Sequence, residues 1–502
     1  MGLSKAQSCL QLGSAKGQSP ETPPPHQKLS SRRRRRPPPQ HQTEEATNEQ
    51  SPPDNGNCKD NNHLLLERTS LTLSNGRCMY LPRRDSAPVD LDLYLRSHPE
   101  LSKKASHIHK TSSQLSLLER TQSSNCITVL QGEVAHASAC QGVDVLLSSE
   151  ATTCHVLAVH STSSSFGTTQ PFASLAHIDS CDHPQDLQAM LEEHIQYHRE
   201  QQQKYMSLKP LAGCNTTSRG GDDEDDFGFF DVSGTSPPSI AGHGSPSPTD
   251  LSQFPSYLHA SGGSPPREIA SSSPVQQQKA PDNTNDDSLI HVQLHIVGGF
   301  DDDKGTSFKL SKQILQQWAH LADIYNEEVK IELVTAAISS LNTCQHTKSP
   351  MARGLGISIA TGQVFGIAES LPSQLEGPAL EVRNARAWAR ACSHTSTSPP
   401  TSGLTVIHDR HTEPNTIIIE PFPFSKLPQL DPLLQVPDPV LKEITSTSPA
   451  FESDRFCSDI RRTVSFLNRV PSSSVFGDCG SQPLVYTRTR GNSVHEWERK
   501  FA

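Results

Sequence analysis

Two residues in the sequence have the types and surroundings that hydrolysis by a cysteine nucleophile requires. Cys154 follows the small polar run SSEATT, and His177 comes 23 residues later in ASLAHIDS. A catalytic cysteine needs a nearby histidine to take its proton, a group that orients this histidine, and N–H donors for the oxyanion. A buried structural cysteine at the start of a strand fits the same residues, so the pattern alone leaves both interpretations open.

The other histidines do not complete a recognisable site. His194 and His198 are four residues apart on a predicted helix, which is a spacing of metal ligands, but no cysteine or carboxylate pattern accompanies them. We therefore expect a solvated helix face here. The sequence contains no phosphate-binding loop, dinucleotide fingerprint, serine-hydrolase elbow or zinc-protease helix.

The elements that must position this pair follow from hydrophobic periodicity. Apolar residues continue on both faces directly after Cys154, which predicts a strand buried on both sides. Pro184 and an apolar stripe at helical spacing predict a helix over residues 181–205. Farther along, LIHVQLHIVGG alternates with period two and predicts a strand that ends at Gly298 and Gly299.

The rest of the C-terminal region alternates between helical and strand patterns. Helices are predicted in TSFKLSKQILQQWAHLADIY, ALEVRNARAWARA and SDRFCSDIRRTVSFLNRV, and single strands in VKIELVTAAI and PLVYTRT. Hairpins are predicted in GISIATGQVFGIA and across LTVIH and NTIIIEPFPF. This mixture predicts an α+β fold.

Composition divides the chain into four segments. Residues 1–75 and 206–287 are rich in Ser, Pro, Gly and charge, and we expect a disordered N-terminal tail and a long disordered insertion. Residues 76–205 and 288–502 carry the ordered patterns, and we expect them to form the two halves of one domain. The tail contains RRRRR and the insertion DDEDDFGFFD. Each tract is open to two interpretations, a binding motif or a solvated segment.

Bulk composition narrows the class of protein. The chain has 502 residues, 33% of them hydrophobic, and a formal net charge of −10, so neither nucleic acid nor a membrane surface is an expected partner. No apolar run has membrane-spanning length. The 12 cysteines form no CxxC pair, which indicates reduced, intracellular thiols. We expect a monomer in the cytoplasm, with the nucleus as a second location.

Several stretches, in order along the chain, resemble the protein N-terminal asparagine amidohydrolase family. The most specific are SSEATTCHVLAVHS around Cys154, LAHIDSCD around His177, and VQLHIVGGFDDDK. Four more stretches fit the same pattern: LPRRDSAPVDLDLYLRSHPEL, ELVTAAISSLN, GISIATGQVFGIA and STSPAFESDRFCSDIRRTVSFL. Together the resemblance covers roughly residues 77–200 and 288–500.

The resemblance implies a fold and an activity. The implied fold is an α-β-β sandwich of the cysteine-hydrolase, deamidase-like type. The implied reaction converts the side-chain amide of an N-terminal Asn to Asp with release of ammonia, and it feeds the ubiquitin-dependent N-degron pathway. The substrate would be a protein or peptide with a free N-terminal Asn, and the family chemistry requires no metal or cofactor.

The resemblance also implies roles for individual residues. Cys154 would be the nucleophile that forms a thioester, and His177 would hold it as a thiolate and later protonate the leaving ammonia. In the wider sandwich group a hydroxyl residue six positions before the cysteine often orients the histidine; this position is Ser148, with Ser149 as the alternative. The backbone N–H groups near Thr153 and Cys154 would bind the oxyanion.

Action at a free N-terminus requires an anion that binds the α-ammonium group. Glu150, Asp179 and Asp301 are the candidates near the family motifs. The chain departs from the family pattern in its N-terminal tail, its insertion and a longer segment between Cys154 and His177. Two other functions stay open: a related cysteine deamidase acting on Gln or on internal amides, and a catalytically inactive scaffold that recruits partners.

Overall fold

The computed structural model of the protein describes seven ranges of the chain. They are residues 68–82, 91–112, 125–163, 170–208, 289–393, 403–490 and 495–500. The predicted disordered tail and insertion lie largely outside these described residues. The predicted tail boundary at residue 75 is wrong, because Arg68–Leu73 forms a strand of the main sheet. In this strand Leu71 and Leu73 are buried.

An eight-stranded mixed sheet forms the centre of the described fold. The described strands are β1 (Arg68–Leu73), β2 (Cys78–Pro82), β3 (Cys126–Thr128), β4 (Glu133–Ser138), β5 (Val145–Ser148), β6 (His155–Ser163), β7 (Phe172–Ile178), β8 (Ile290–Gly298), β9 (Val329–Ala337), β10 (Gly354–Ser358), β11 (Val364–Ile367), β12 (Thr405–His408), β13 (Thr416–Ile419), β14 (Leu484–Arg490) and β15 (His495–Lys500). The large sheet has the order β12-β4-β7-β6-β8-β9-β1-β2.

Strand β6 lies near the middle of this sheet and begins one residue after Cys154. It pairs antiparallel with β7 on one side and with β8 on the other. Because β8 comes from the C-terminal part of the chain, residues on both sides of 209–288 build one sheet. The described residues on both sides belong to one compact unit.

Several of the helices pack on one face of the large sheet. The described helices are α1 (Leu91–Arg96), α2 (Pro99–Lys110), α3 (Pro184–Leu208), α4 (Thr306–Ile324), α5 (Leu380–Ser393), α6 (Asp438–Thr445), α7 (Phe456–Arg469) and α8 (Ser472–Phe476). Leu157 and Val159 of β6 belong to the same buried cluster as Leu187 of α3 and Leu310 of α4. Pro184 is the first residue of α3, where its missing N–H costs no hydrogen bond.

Smaller sheets cover the opposite face. One has the order β11-β10-β5-β3 and the other β13-β14-β15. Val156 and Ala158, which alternate with the helix-facing residues of β6, pack in one cluster with Leu146 of β5 and Ile417 of β13. The prediction that β6 is buried on both faces is therefore confirmed.

The predicted hairpin across LTVIH and NTIII is wrong. Strand β12 pairs in parallel with β4 at the edge of the large sheet, whereas β13 pairs antiparallel with β14. The two segments are close in sequence, but each forms its ladder with a strand that is distant in the chain. The predicted strand PLVYTRT is present as β14, and β15 pairs with it as an additional, unpredicted strand.

The described chain is a mixed α+β fold, as predicted. None of the helices within the described ranges has both the length and the apolar composition that a bilayer crossing requires.

Candidate active site

Cys154 lies at the end of the turn that joins β5 to β6, and neighbouring segments fix this turn. The Ser307 hydroxyl at the start of α4 donates to the carbonyl of Thr153 at 3.4 Å. Gly298, with φ of 111°, passes so close that a Cβ atom there would lie 2.7 Å from the Cys154 carbonyl oxygen. Cys154 itself is only partly buried. Its thiol is therefore held in place and remains within reach of a substrate.

His177 meets Cys154 from the adjacent strand. It pairs with Val156 across the β6–β7 ladder, so its side chain shares a sheet face with that of Cys154, at the diagonal position. Ser148 approaches from the smaller sheet, and a hydrogen bond of 2.9 Å joins its hydroxyl to His177 Nδ1. His177 Nε2 is buried and has no hydrogen-bond partner among the described residues. The contact between Ser148 and His177 is the one that the family resemblance implies.

A pocket of about 200 Å³ opens over this pair. Cys154, His177, Ser149 and Thr153 line one side, and residues of α5 and of the segment 445–463 line the other. The Thr153 hydroxyl is hydrogen-bonded to that of Thr447 at 2.7 Å, which ties the β5–β6 turn that carries Cys154 to the opposite side of the pocket. The pocket is therefore assembled from distant parts of the chain.

A larger cavity of about 630 Å³ lies elsewhere and includes Cys181 and His183 in its lining. Burial raises the pKa of the Cys181 thiol to about 12. The His183 ring is bonded through Nδ1 to Gln185 at 3.3 Å, and not to the thiol. This cavity therefore lacks the oriented cysteine–histidine arrangement of the smaller pocket.

Burial controls the protonation of the pair. It raises the pKa of the Cys154 thiol to about 12, with the nearby Asp179 and Glu452 carboxylates acting in the same direction. Burial also lowers the pKa of His177 to about 4, although Asp179 and Glu133 oppose this shift. These shifts favour the neutral thiol and the neutral imidazole.

The three predicted ammonium-binding acids lie in different places. Glu150 lines the pocket at its exposed rim, with φ of 64°, and accepts a hydrogen bond from Ser370 at 2.7 Å. Asp179 is half-buried and accepts a hydrogen bond from the Gln131 amide at 2.7 Å. Asp301 is exposed on the loop after β8 and does not line the pocket, so the structure does not bring it to the site.

Two further carboxylates line the pocket and were missed from the sequence. Glu452 and Asp459 both belong to the segment that closes the side opposite Cys154. Burial raises the pKa of each, and the neighbouring Glu150 carboxylate adds to both shifts. Both residues lie in the stretch STSPAFESDRFCSDIRRTVSFL, which resembles the family and could have identified them. Its hydrophobic periodicity predicted only a helix.

The prediction of a solvated face at His194 and His198 is wrong. Both side chains are buried, and His194 has no exposed surface. Hydrogen bonds of 2.6 to 2.8 Å connect a buried histidine–serine network in the order His136, Ser174, His194, Ser161 and His198. The helix turns these histidines toward polar positions of β6 and β7 instead of toward solvent. Within the described part of the chain, no group of three or more His, Cys, Asp and Glu side chains is arranged to hold a metal ion.

Comparison with known proteins relates this site to a family. The sequence matches the family model described as Protein N-terminal asparagine amidohydrolase over residues 116–222 and 272–499, more than half of the chain. Proteins with that name from Mus musculus and Homo sapiens are each 30% identical over 210 residues, which is 41% of this chain and 59% of the relative. The one from Sus scrofa is 30% identical over 199 residues, or 39% and 57%.

The matched region of the chain thus spans less than two thirds of the length of these relatives. The family match itself extends farther and includes Cys154, His177, Ser148 and the segment that carries Glu452. By this match, the chain belongs to the protein N-terminal asparagine amidohydrolase family.

Proposed function

We propose that the protein hydrolyses the side-chain amide of an N-terminal asparagine and leaves aspartate. The observation that carries this proposal is that Cys154 and His177 line one pocket, with Ser148 hydrogen-bonded to His177, in a chain of this family. The names of the relatives indicate the substrate, a protein or peptide that begins with Asn. One face of the large sheet packs mainly on helices and the other on two smaller sheets together with α5 and α8, an arrangement compatible with the cysteine-hydrolase sandwich.

The first step is attack of Cys154 on the amide carbon. His177 Nε2 has no other partner among the described residues and accepts the thiol proton as the sulfur forms its bond to carbon. Because burial favours the neutral pair, this proton transfer accompanies the attack. In this proposal Nδ1 carries the proton and donates to the Ser148 oxygen, the tautomer that leaves Nε2 available as the base.

The remaining steps return the enzyme to its starting state. Protonated His177 gives its proton to the amide nitrogen, the C–N bond breaks, and ammonia leaves a thioester on Cys154. Water then attacks the thioester carbon while His177 takes a proton from it. The C–S bond breaks, the sulfur recovers a proton from His177, and the product is aspartate. Backbone N–H groups at Thr153 and Cys154 are the candidates to bind the oxyanion in both tetrahedral intermediates.

Pocket size supports selection of Asn over Gln. In a pocket of about 200 Å³, one extra methylene would displace the amide carbon from the attack position at Cys154. The product would carry an N-terminal Asp that the ubiquitin-dependent N-degron pathway recognises. The proposal places the protein in the cytoplasm and the nucleus as a monomer.

The decisive test compares the unmodified protein with Cys154→Ser on synthetic peptides. We expect an Asn-initiated peptide to gain the mass of an amide-to-acid conversion and to release an equal amount of ammonia. Cys154→Ser should lose this activity, because the serine hydroxyl is a much weaker nucleophile than the thiol. Mass spectrometry and an ammonia assay measure both products.

Three related peptides provide the controls. Equal turnover of an acetylated Asn peptide would contradict action at a free N-terminus. Preferential turnover of a Gln-initiated peptide or of an internal amide would favour another cysteine deamidase. No turnover of any peptide by the unmodified protein would favour an inactive scaffold.

A further inference from the structure

The pocket around Cys154 carries charge of only one sign. Its charged lining side chains are Glu150, Glu452 and Asp459, all of them acids. Among the described residues that line it, there is no lysine and no arginine. A ligand that enters this pocket therefore meets an acidic environment next to the thiol.

Glu452 is held beside the β5–β6 turn that carries Cys154, and no cationic side chain among the described residues is in direct contact with its carboxylate. Its Oε1 accepts hydrogen bonds from the hydroxyls of Ser446 and, at 3.5 Å, Thr152. Thr152 is two residues before Cys154, so the carboxylate has a fixed position relative to the thiol. Lys442 donates to the Glu452 main-chain carbonyl at 3.0 Å and, like Arg353, acts on the carboxylate only at longer range.

The other two acids are also incompletely neutralised. Asp459 lies 3.7 Å from Arg462, which is itself hydrogen-bonded to Glu381, and Arg455 acts on Asp459 only at longer range. Glu150 accepts from the hydroxyls of Ser370 and Ser453, at 2.7 and 3.3 Å. Neutral hydroxyl donors orient these carboxylates but do not cancel their charge.

A separate feature marks this pocket as a ligand site. His177 lines it and is only 3% exposed, yet its Nε2 atom has no partner within the described residues. Buried polar atoms are nearly always hydrogen-bonded, so we infer that this nitrogen forms its hydrogen bonds with groups that take part in the reaction. The acids and the unpartnered nitrogen therefore face the same ligand.

We propose that the carboxylates of this pocket discriminate between substrate and product, with Glu452 as the principal group. They hold the α-ammonium group of the Asn-initiated peptide and repel the carboxylate that the reaction creates on the same residue. This inference rests on the proposed function. It assigns to Glu452 and Asp459 the role that sequence analysis sought in Glu150, Asp179 and Asp301.

The physical basis is the charge change of the reaction. The Asn side chain is neutral, so the first residue of the substrate brings only its α-ammonium charge into the pocket. Hydrolysis adds a negative charge at the side chain, where no basic residue among the described lining side chains can pair with it. A carboxylate in a partly buried site without a counter-ion is unfavourable. The product is therefore released, and accumulated product inhibits the enzyme only weakly.

Peptide binding in a catalytically silent background tests this discrimination. In full-length Cys154→Ala protein, calorimetry gives dissociation constants for two peptides that differ only in an initial Asn or Asp. We expect the Asn peptide to bind at least about tenfold more tightly, because the Asp peptide brings a second, unpaired carboxylate into the acidic pocket. Adding Glu452→Gln should weaken the binding of the Asn peptide far more than the binding of the Asp peptide. The ratio of their affinities therefore falls by about tenfold.

Two further variants separate this role from a structural one. Glu327→Gln removes an exposed acid that precedes β9, at the opposite end of the sheet, and should leave the ratio unchanged. Asp459→Asn should lower the affinity ratio of the Asn and Asp peptides to a smaller extent. If a thermal melt shows that Glu452→Gln is unfolded, Asp459→Asn is the variant that tests the proposal. Equal affinity for both peptides, or a parallel loss of both in the acid variants, would overturn the proposal. Ammonia release by the unmodified protein tests the proposed function independently.

Discussion

The hydrogen bond between Ser148 and His177 is the contact on which the chemistry of the site depends most directly. It joins residues of two different sheets at 2.9 Å and leaves the other imidazole nitrogen facing the pocket. In the proposed reaction Ser148 would act as a positioning residue for His177, because its hydroxyl contacts the imidazole and Ser148 does not line the pocket. Its position six residues before Cys154 is a local sequence relation, which explains why the resemblance could identify it.

Substitution of Ser148 tests this positioning role. We expect Ser148→Ala to lower kcat about 10- to 100-fold with little change in KM, because the imidazole loses its fixed tautomer and orientation. Ser148→Thr should restore part of the rate, since it keeps the hydroxyl. Steady-state kinetics on an Asn-initiated peptide measure both parameters.

Ser149→Ala is the matched control for this experiment. Ser149 lines the pocket, but no hydrogen bond to His177 is seen. A larger kcat loss in Ser149→Ala than in Ser148→Ala would reverse the assignment.

The roles that sequence analysis missed were missed for one physical reason. Glu452 lies 298 positions after Cys154, and nothing local distinguishes it from a solvated acid. His194 follows the helical period of α3, but its burial depends on Ser161 and Ser174 of neighbouring strands. Such roles arise from tertiary contacts, which neither spacing nor periodicity records.

At the scale of elements, the end of β8 supports the β5–β6 turn that carries Cys154. Its last residue, Gly298, pairs with His155, and the next residue, Gly299, lies against the His155 ring. A Cβ atom at Gly299 would lie 2.6 Å from that ring, and both glycines have positive φ. Only glycine fits such close approaches in this backbone conformation. The sequence predicted that the strand would end here, but not that its end packs against the cysteine.

Gly298→Ala should therefore impair the nucleophile more than the fold. The new methyl group would displace the Cys154 carbonyl, and we expect kcat to fall about 10- to 100-fold through misplacement of the thiol. The left-handed backbone should also cost about 1–3 kcal/mol of unfolding free energy. Activity assays and chemical denaturation measure the two effects.

Gly76→Ala separates these effects. Gly76 also has positive φ, but a Cβ atom there would have no neighbour within 4 Å. Its variant should lose stability and keep kcat. An equal loss of kcat in both variants would show that the contact with Cys154 is not responsible.

Elements were predicted correctly where their own hydrophobic periodicity was clear, and strand pairing was not predicted where it depended on distant segments. The buried strand β6 and the helices α3 and α4 have clear periods of their own and were predicted correctly. The pairing of β12 and β13 was not, because each strand joins a ladder with a sequence-distant partner. Periodicity identifies a strand, but the choice of neighbour depends on which ladder remains open in the folded chain.

At the scale of the whole molecule, the buried histidine–serine network makes stability depend on pH. Burial lowers the pKa of His136 and of His198 from 6.5 to about 4, and it lowers that of His194 well below its ordinary value. In the unfolded chain these histidines bind protons at a higher pH than in the fold. Their contribution to stability is therefore complete above pH 6.5 and is lost as the pH falls toward 4.

We expect the unfolding temperature to fall steeply between pH 6.5 and 4. Each of these histidines should contribute up to about 1.4 kcal/mol of lost stability per pH unit within this window. His136→Gln can keep a hydrogen bond to Ser174 but does not titrate, so it should reduce the slope. Exposed His346→Gln is the matched control and should retain the full slope. An unfolding temperature that is constant across the window, or identical slopes for all three proteins, would contradict this.

The strand pairing of β6 with β8 also has a consequence for synthesis. Cys154 and His177 leave the ribosome well before Gly298 and Glu452 are translated. A nascent or truncated chain can therefore carry the thiol and the imidazole while it lacks the glycine support and the acidic side of the pocket. Under the proposed function, catalytic competence would therefore appear only after the part of the chain that carries Gly298 and Glu452 has been synthesised.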